Sequence, residues 1–153
     1  MNRESVLFTC KYVADLFEYS TKENDCSSKV FIKAFVFSSL AKRIFSKYFI
    51  LESIDIPMAY DVIKKEKKLT RGKDVYPSYV MSWIGYIMAY FQCKTNLPIS
   101  VLYNHVKPDD LYKVYEAYHS LDNDLVVDRI IEAGKINTNL NDVNILKKVY
   151  GIL

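Results

Sequence analysis

The chain has 153 residues, half of them apolar, a quarter charged and 14% aromatic, which suits one globular domain with a sizeable core. Four Gly and four Pro argue against a turn-rich all-β fold and against low complexity, and a net charge of +3 is too mild to imply a nucleic-acid partner by itself. Three Cys with no CxxC pair, and only two His, supply neither a zinc ligand set nor a disulfide framework, so free thiols in a reducing compartment are expected.

Residues 3–20 place Val6, Leu7, Cys10, Val13, Ala14 and Phe17 at helical spacing. The stretch lacks the charged start, apolar run and cleavage site of a signal peptide. No apolar run is long enough to span a membrane. A soluble, cytoplasmic protein without membrane contact is expected. Asn24, Asp25, Ser27 and Ser28 read as a polar loop whose Ser pair caps the next helix. From Lys29 to Tyr48 the repeats of three and four apolar residues predict one helix with a wide buried face. Ser38, Ser39 and Ala41 on it are small enough to admit a neighbouring helix. Tyr48 to Ile56 reads as an extended connection, and Asp55 followed by Pro57 signals a helix start. Met58, Ala59, Val62 and Ile63 form its modest apolar stripe.

Lys64, Lys65, Lys67, Lys68, Arg71 and Lys73 then crowd ten residues that hold one acid, Glu66. This is a helix end whose cations favour the negative end of the dipole, followed by a solvated loop. It also marks a boundary between two halves, 1–72 and 73–153, packed as a single domain. Pro77 opens the most apolar helix, about 77–94. Val80, Trp83, Ile84, Ile87, Met88 and Phe91 make one broad face, and Tyr79, Tyr86 and Tyr90 widen it round a flank. Gly85 in its middle costs about 1 kcal/mol relative to Ala and predicts close approach by another helix. After a tight turn at Asn96-Leu97, Pro98 opens a short helix to Val106 with Val101, Leu102 and Val106 inward. Pro108-Asp109-Asp110 starts the next, with Leu111, Val114, Tyr115 and Tyr118 apolar. A helix over 123–133 carries Leu125, Val126, Arg129 and Ile130 on one side and stops at Gly134. A last one covers Asp142–Tyr150. The sum is an all-α bundle of about seven helices around the central aromatic helix.

The sequence holds no Gly-rich phosphate loop, GxSxG or HExxH. His119, beside Tyr118 and Asp122, is the one place where an enzyme could be built; the plainer reading is a histidine that orients the turn between two helices. No catalytic residue, cofactor or metal is expected. Two binding readings stand instead. The first is a protein partner gripped by Tyr79, Tyr86, Tyr90, Tyr103, Tyr112, Tyr115 and His119, because rings give large contact area for few rotatable bonds. The second is DNA. The unit from Val80 to Val106 has a helix-turn-helix outline whose second helix would offer Ser100, Asn104, His105 and Lys107, with Lys67, Lys68, Arg71 and Lys73 on the phosphates. Against it, the first helix is long and aromatic for such a motif and the offered set lacks Arg. Self-association stays open.

Ser39-Leu-Ala-Lys42, Trp83-Ile-Gly-Tyr-Ile87, Leu102-Tyr103 with Val106-Lys-Pro108, and Tyr118-His-Ser-Leu-Asp122 followed by Arg129-Ile130 resemble, together, an uncharacterised family of small cytosolic proteins from Gram-positive gut bacteria. That family is associated with toxin–antitoxin operons as the antitoxin component. The resemblance covers about residues 30 to 133. It implies a shared fold and an antitoxin that occludes its toxin by direct contact, with repression of its own operon as the alternative. Members often carry a basic residue where this chain has Ala89, which puts a shared mode of toxin contact in doubt.

Overall fold

The computed structural model describes residues 2–23, 26–46 and 53–139, and within them the chain is helical with no strand. Helix α1 (Arg3–Glu23) is capped by Asn2, whose Oδ1 accepts the Ser5 N–H at 2.8 Å. It buries Cys10, Val13, Ala14, Leu16 and Phe17; Leu7, expected inward, is exposed. Ser27, one of the two expected caps, starts α2 (Ser28–Val36) by accepting from Val30 N–H.

The single helix expected from Lys29 to Tyr48 is broken in two. Ser38 is fully buried, donates its hydroxyl to the Phe35 carbonyl at 2.7 Å and accepts from the Ala41 N–H at 3.1 Å. It therefore ends α2 and caps α3 (Ser39–Ile44). A serine hydroxyl that satisfies the backbone locally competes with the helical ladder, and here it wins. Lys47 to Glu52, with the expected connection there, lie outside the described residues, as does the expected helix Asp142–Tyr150.

Asp55 caps α4 (Ile56–Lys67) through the Met58 N–H, with Pro57 in the first turn, as the sequence predicts. Ala59, Tyr60 and Ile63 face the core, while Met58 is exposed. Lys68 closes the helix in the left-handed region at φ 47°. Helix α5 (Ser78–Thr95) follows Pro77 and ends at Asn96, φ 61°. The turn is held by the Thr95 hydroxyl accepting from Leu97 N–H and by Gln92 Oε1 accepting from Ile99 N–H. Then come α6 (Ile99–His105), α7 (Pro108–Tyr118) and α8 (Asn123–Gly134), the last capped by Asp122. Eight helices are thus described where seven were expected over the same residues, the break at Ser38 adding one. On α8 the buried side is Val126, Val127 and Ile130; Leu125 and Arg129, expected with them, face out.

The core forms around the α1–α5 pair. A Cβ on Gly85 would lie 2.8 Å from Phe17 Cγ and 2.9 Å from the Val13 carbonyl oxygen, so the helices meet at a distance only glycine permits. Val13 and Phe17 face Gly85 while Cys10 shares a hydrogen bond with Cys93. The two helices therefore run antiparallel. Beyond Phe17 the core is aromatic: Phe31 and Phe35 meet its ring edge-on at 5.3 and 5.1 Å, and Tyr60 stacks on Phe31. Ala89 is fully buried, so that position offers nothing to a partner in this chain.

Candidate functional site: an aromatic ledge on the central helix

α5 is apolar nearly all round, yet not all of it is covered. Val80, Met81, Ile84, Ile87, Met88 and Phe91 are buried. Tyr79, Trp83, Tyr86 and Tyr90, at steps of four, three and four residues, share one stripe that is not. Trp83, expected on the core face, is half-buried on this stripe, while Met81 takes a core position. The ledge runs about 16 Å along the helix, at about 1.5 Å per residue.

α7 broadens one end of it. The Tyr115 ring lies 5.5 Å from Tyr79 and 5.6 Å from Trp83. His119 stacks on Tyr115 at 4.5 Å with the planes 12° apart. Its Nδ1 lies 2.9 Å from the Tyr115 carbonyl oxygen. A carbonyl only accepts, so Nδ1 carries the proton and Nε2 is left for solvent or a partner. Tyr79 is 59% exposed and Tyr112 39%, large values for rings of this size.

The margins are fixed by polar contacts. Tyr76, just before α5, meets Tyr112 edge-on at 4.7 Å and donates its hydroxyl to Asp109. Lys29 of α2 pairs with the same carboxylate at 2.6 Å. Lys29 and then Tyr76 hold the Asp109 carboxyl below the usual carboxylate range, and Asp109 in turn raises Lys29. Burial, with Asp109 as acceptor, pushes the Tyr76 phenol up. At the other end Tyr90 donates to Asp124 Oδ1 at 2.8 Å, and Lys94 pairs with Asp124 and Asp128. Burial and the Asp124 bond raise the Tyr90 phenol to about 12, so it stays a donor across physiological pH.

Of the residues expected to bind a protein, Tyr79, Tyr112, Tyr115 and His119 come together here, and Tyr86 and Tyr90 continue the stripe. Tyr103 does not join them: it meets Phe37 edge-on at 5.6 Å on the α2–α6 side. Three parts of the site escape a reading of the sequence. Trp83 sits at core spacing, and Tyr76 and Asp109 look only like residues at helix starts, although the i, i+4 step from Tyr79 to Trp83 is visible in the chain.

The residues expected to meet nucleic acid divide as well. Asn104 and Lys107 line an open groove with Lys29 and Tyr103. Ser100 lies by Lys42 in a smaller one. His105 bonds the Val101 carbonyl and faces a third, with Arg129 and Tyr118. α6 itself is seven residues long and touches α2, α5 and α8. Lys67, Lys68, Arg71 and Lys73 are all exposed at the end of α4 and in the loop behind it. No three His, Cys, Asp or Glu among the described residues are grouped to hold a metal ion, and no described helix is long and apolar enough to cross a membrane. Comparison with protein-family models, curated proteins and solved structures gives no match for this chain.

Proposed function

We propose that this chain is a non-enzymatic binding protein of the antitoxin kind, which neutralises a partner toxin by laying the α5–α7 ledge against it. The observation that carries the reading is the stripe of Tyr79, Trp83, Tyr86 and Tyr90 on the central helix, of which Tyr79 is exposed and the other three are only partly covered. A core helix that keeps four large rings wholly or partly at the surface presents contact area at low entropic cost. Centrally placed Tyr and Trp are the residues on which protein interfaces depend most. The support is a rigid one: α5 is clamped to α1 at Gly85, and Tyr115 is held on three sides by Tyr79, Trp83 and His119. His119 acts here as an orienting group, since its Nδ1 is committed to backbone.

The test is co-expression with the product of the adjacent gene. The expected result is co-purification of the two chains and rescue of growth, both lost with Tyr79→Ser plus Tyr115→Ala. Absence of a complex and of rescue with the unaltered chain overturns the reading.

A further inference from the structure

Lys29, Lys33 and Phe37 recur every four residues along α2, so they form one ridge on its outer side; all three are exposed, Phe37 to 41%. α6 borders this ridge. Tyr103 meets Phe37 edge-on, and Asn104 and Lys107 enclose with Lys29 an open groove of about 390 Å³. The end of α4 and the loop after it lie along α2 too. Glu66 accepts from the Ser39 N–H and hydroxyl just beyond the last turn of α2. Gly72 sits where its Cβ would be 2.9 Å from Ser27 Cβ at the first turn, and Ser28 N–H donates to the Asp74 carbonyl. The stretch between those two anchor points, which carries Lys67, Lys68 and Arg71, therefore runs back alongside α2.

The acids on this face are largely engaged: Glu66 by Ser39, and Asp109 by Lys29 and Tyr76. Among the described residues Lys33, Arg71 and Lys107 are in no ion pair. A row of uncommitted cations ending at an exposed ring, Phe37 beside the partly buried Tyr103, is the combination that holds a nucleic-acid strand, phosphates on the cations and a base on the aromatic face. An acidic protein surface would satisfy the lysines but leave the Phe37–Tyr103 pair without a flat partner. Duplex DNA read by direct contact needs an element that enters a groove, and α6 is short and packed on three helices.

We infer that the ridge of α2, with α6 and the α4 end beside it, binds single-stranded nucleic acid, DNA or RNA, with a base stacked on Phe37. This surface is separate from the α5 ledge, and its test does not depend on a toxin. The full chain is titrated into fluorescein-labelled mixed-sequence strands of about 12 nucleotides, a length within the range such sites cover, as DNA, as RNA and as a DNA duplex, and anisotropy is read. The expected result is saturable binding of at least one single strand, tighter than of duplex. With roughly four phosphate contacts the affinity falls about 50-fold between about 50 and 200 mM salt. Lys33→Glu with Lys107→Glu weakens strand binding at least about 10-fold at low salt, while Arg3→Glu with Lys11→Glu, an equal charge change on exposed positions of α1, leaves it unaltered. Phe37→Ala weakens it at least about 5-fold, as loss of one base stack should. Circular dichroism confirms that each variant is folded. No anisotropy change with either strand at low salt overturns the inference. So does duplex binding as tight as strand binding and indifferent to Phe37→Ala, or equal weakening by the two charge pairs.

Discussion

Phe17 of α1 stands in the space that a side chain at position 85 of α5 would need: Cγ of one lies 2.8 Å from where the Cβ of the other would be. On helix propensity alone, Gly85→Ala would stabilise by about 1 kcal/mol. The second close neighbour is the Val13 carbonyl, which is backbone and cannot swing away. Overpacking costs about 1–3 kcal/mol, so the propensity gain is offset or exceeded and the net loss lies between about 0 and 2 kcal/mol. That corresponds to a Tm lowered by no more than about 8 °C in a chain of this size. Urea denaturation and thermal melts would check it; a variant more stable by about 1 kcal/mol, the full propensity gain, would mean that the helices can part at no cost.

Ser38 links two helices through one buried hydroxyl that both donates and accepts. Ser38→Ala removes the cap of α3 and leaves the Ala41 N–H without its acceptor. A loss of about 1–2 kcal/mol is expected, read as a lower urea midpoint at unchanged m-value. If stability does not change, the break between α2 and α3 has another cause.

The ledge separates folding from binding. Tyr79 is mostly exposed, so Tyr79→Ser should leave stability within about 0.5 kcal/mol yet weaken a complex made through α5 by about 2 kcal/mol or more. Tyr115→Ala should do both, because it strips ring contacts from Tyr79, Trp83 and His119. Calorimetric titration with the partner, beside a melt of each variant, distinguishes them. Loss of stability in Tyr79→Ser, or full affinity in both variants, would contradict the assignment of the ledge.

Asp109 gives the fold an acid-sensitive joint between α2, α7 and the start of α5. Lys29 and Tyr76 stabilise its ionised form, so its folded pKa lies below the unfolded value of about 3.9. A carboxyl with a depressed folded pKa adds stability that is fully present above the unfolded value and is lost as pH falls through the folded one. Asp109→Asn should therefore be less stable than the parent at neutral pH. The gap should close as pH drops below about 4. Urea midpoints of the two chains from neutral to acid pH measure it, and a gap independent of pH would rule out the ionic contribution. High salt should also narrow the gap, since the pair is partly exposed.

Much of this architecture can be read from residue order alone, because α5 is long and periodic, Asp55-Pro57 and Pro108 mark helix starts, and a glycine amid bulky neighbours implies close contact. Other features cannot. Ser38 falls at core spacing, and only the tertiary setting reveals that its hydroxyl is turned on the backbone. Trp83 lies on a helix apolar on nearly every side, where periodicity does not say which stripe the neighbours leave open; that depends on where α1, α7 and α8 settle. The ring positions of the ledge are legible one by one, but their division between the α5–α7 and α2–α6 sides is not, since Tyr79 and Tyr103 look alike in a string. The Lys29–Asp109 pair joins positions 80 apart, and no local pattern announces it.

The pairing of α1 with α5 also sets the order in which the molecule can assemble as it is made. The apolar side of the first helix, with Val13, Leu16 and Phe17, has its main partner some seventy residues downstream. At roughly 5–20 residues per second, the ribosome leaves that side without its main partner, with only α2 and α4 to cover part of it, for about 4 to 14 s. During that interval a chaperone has its clearest opportunity to engage the nascent chain.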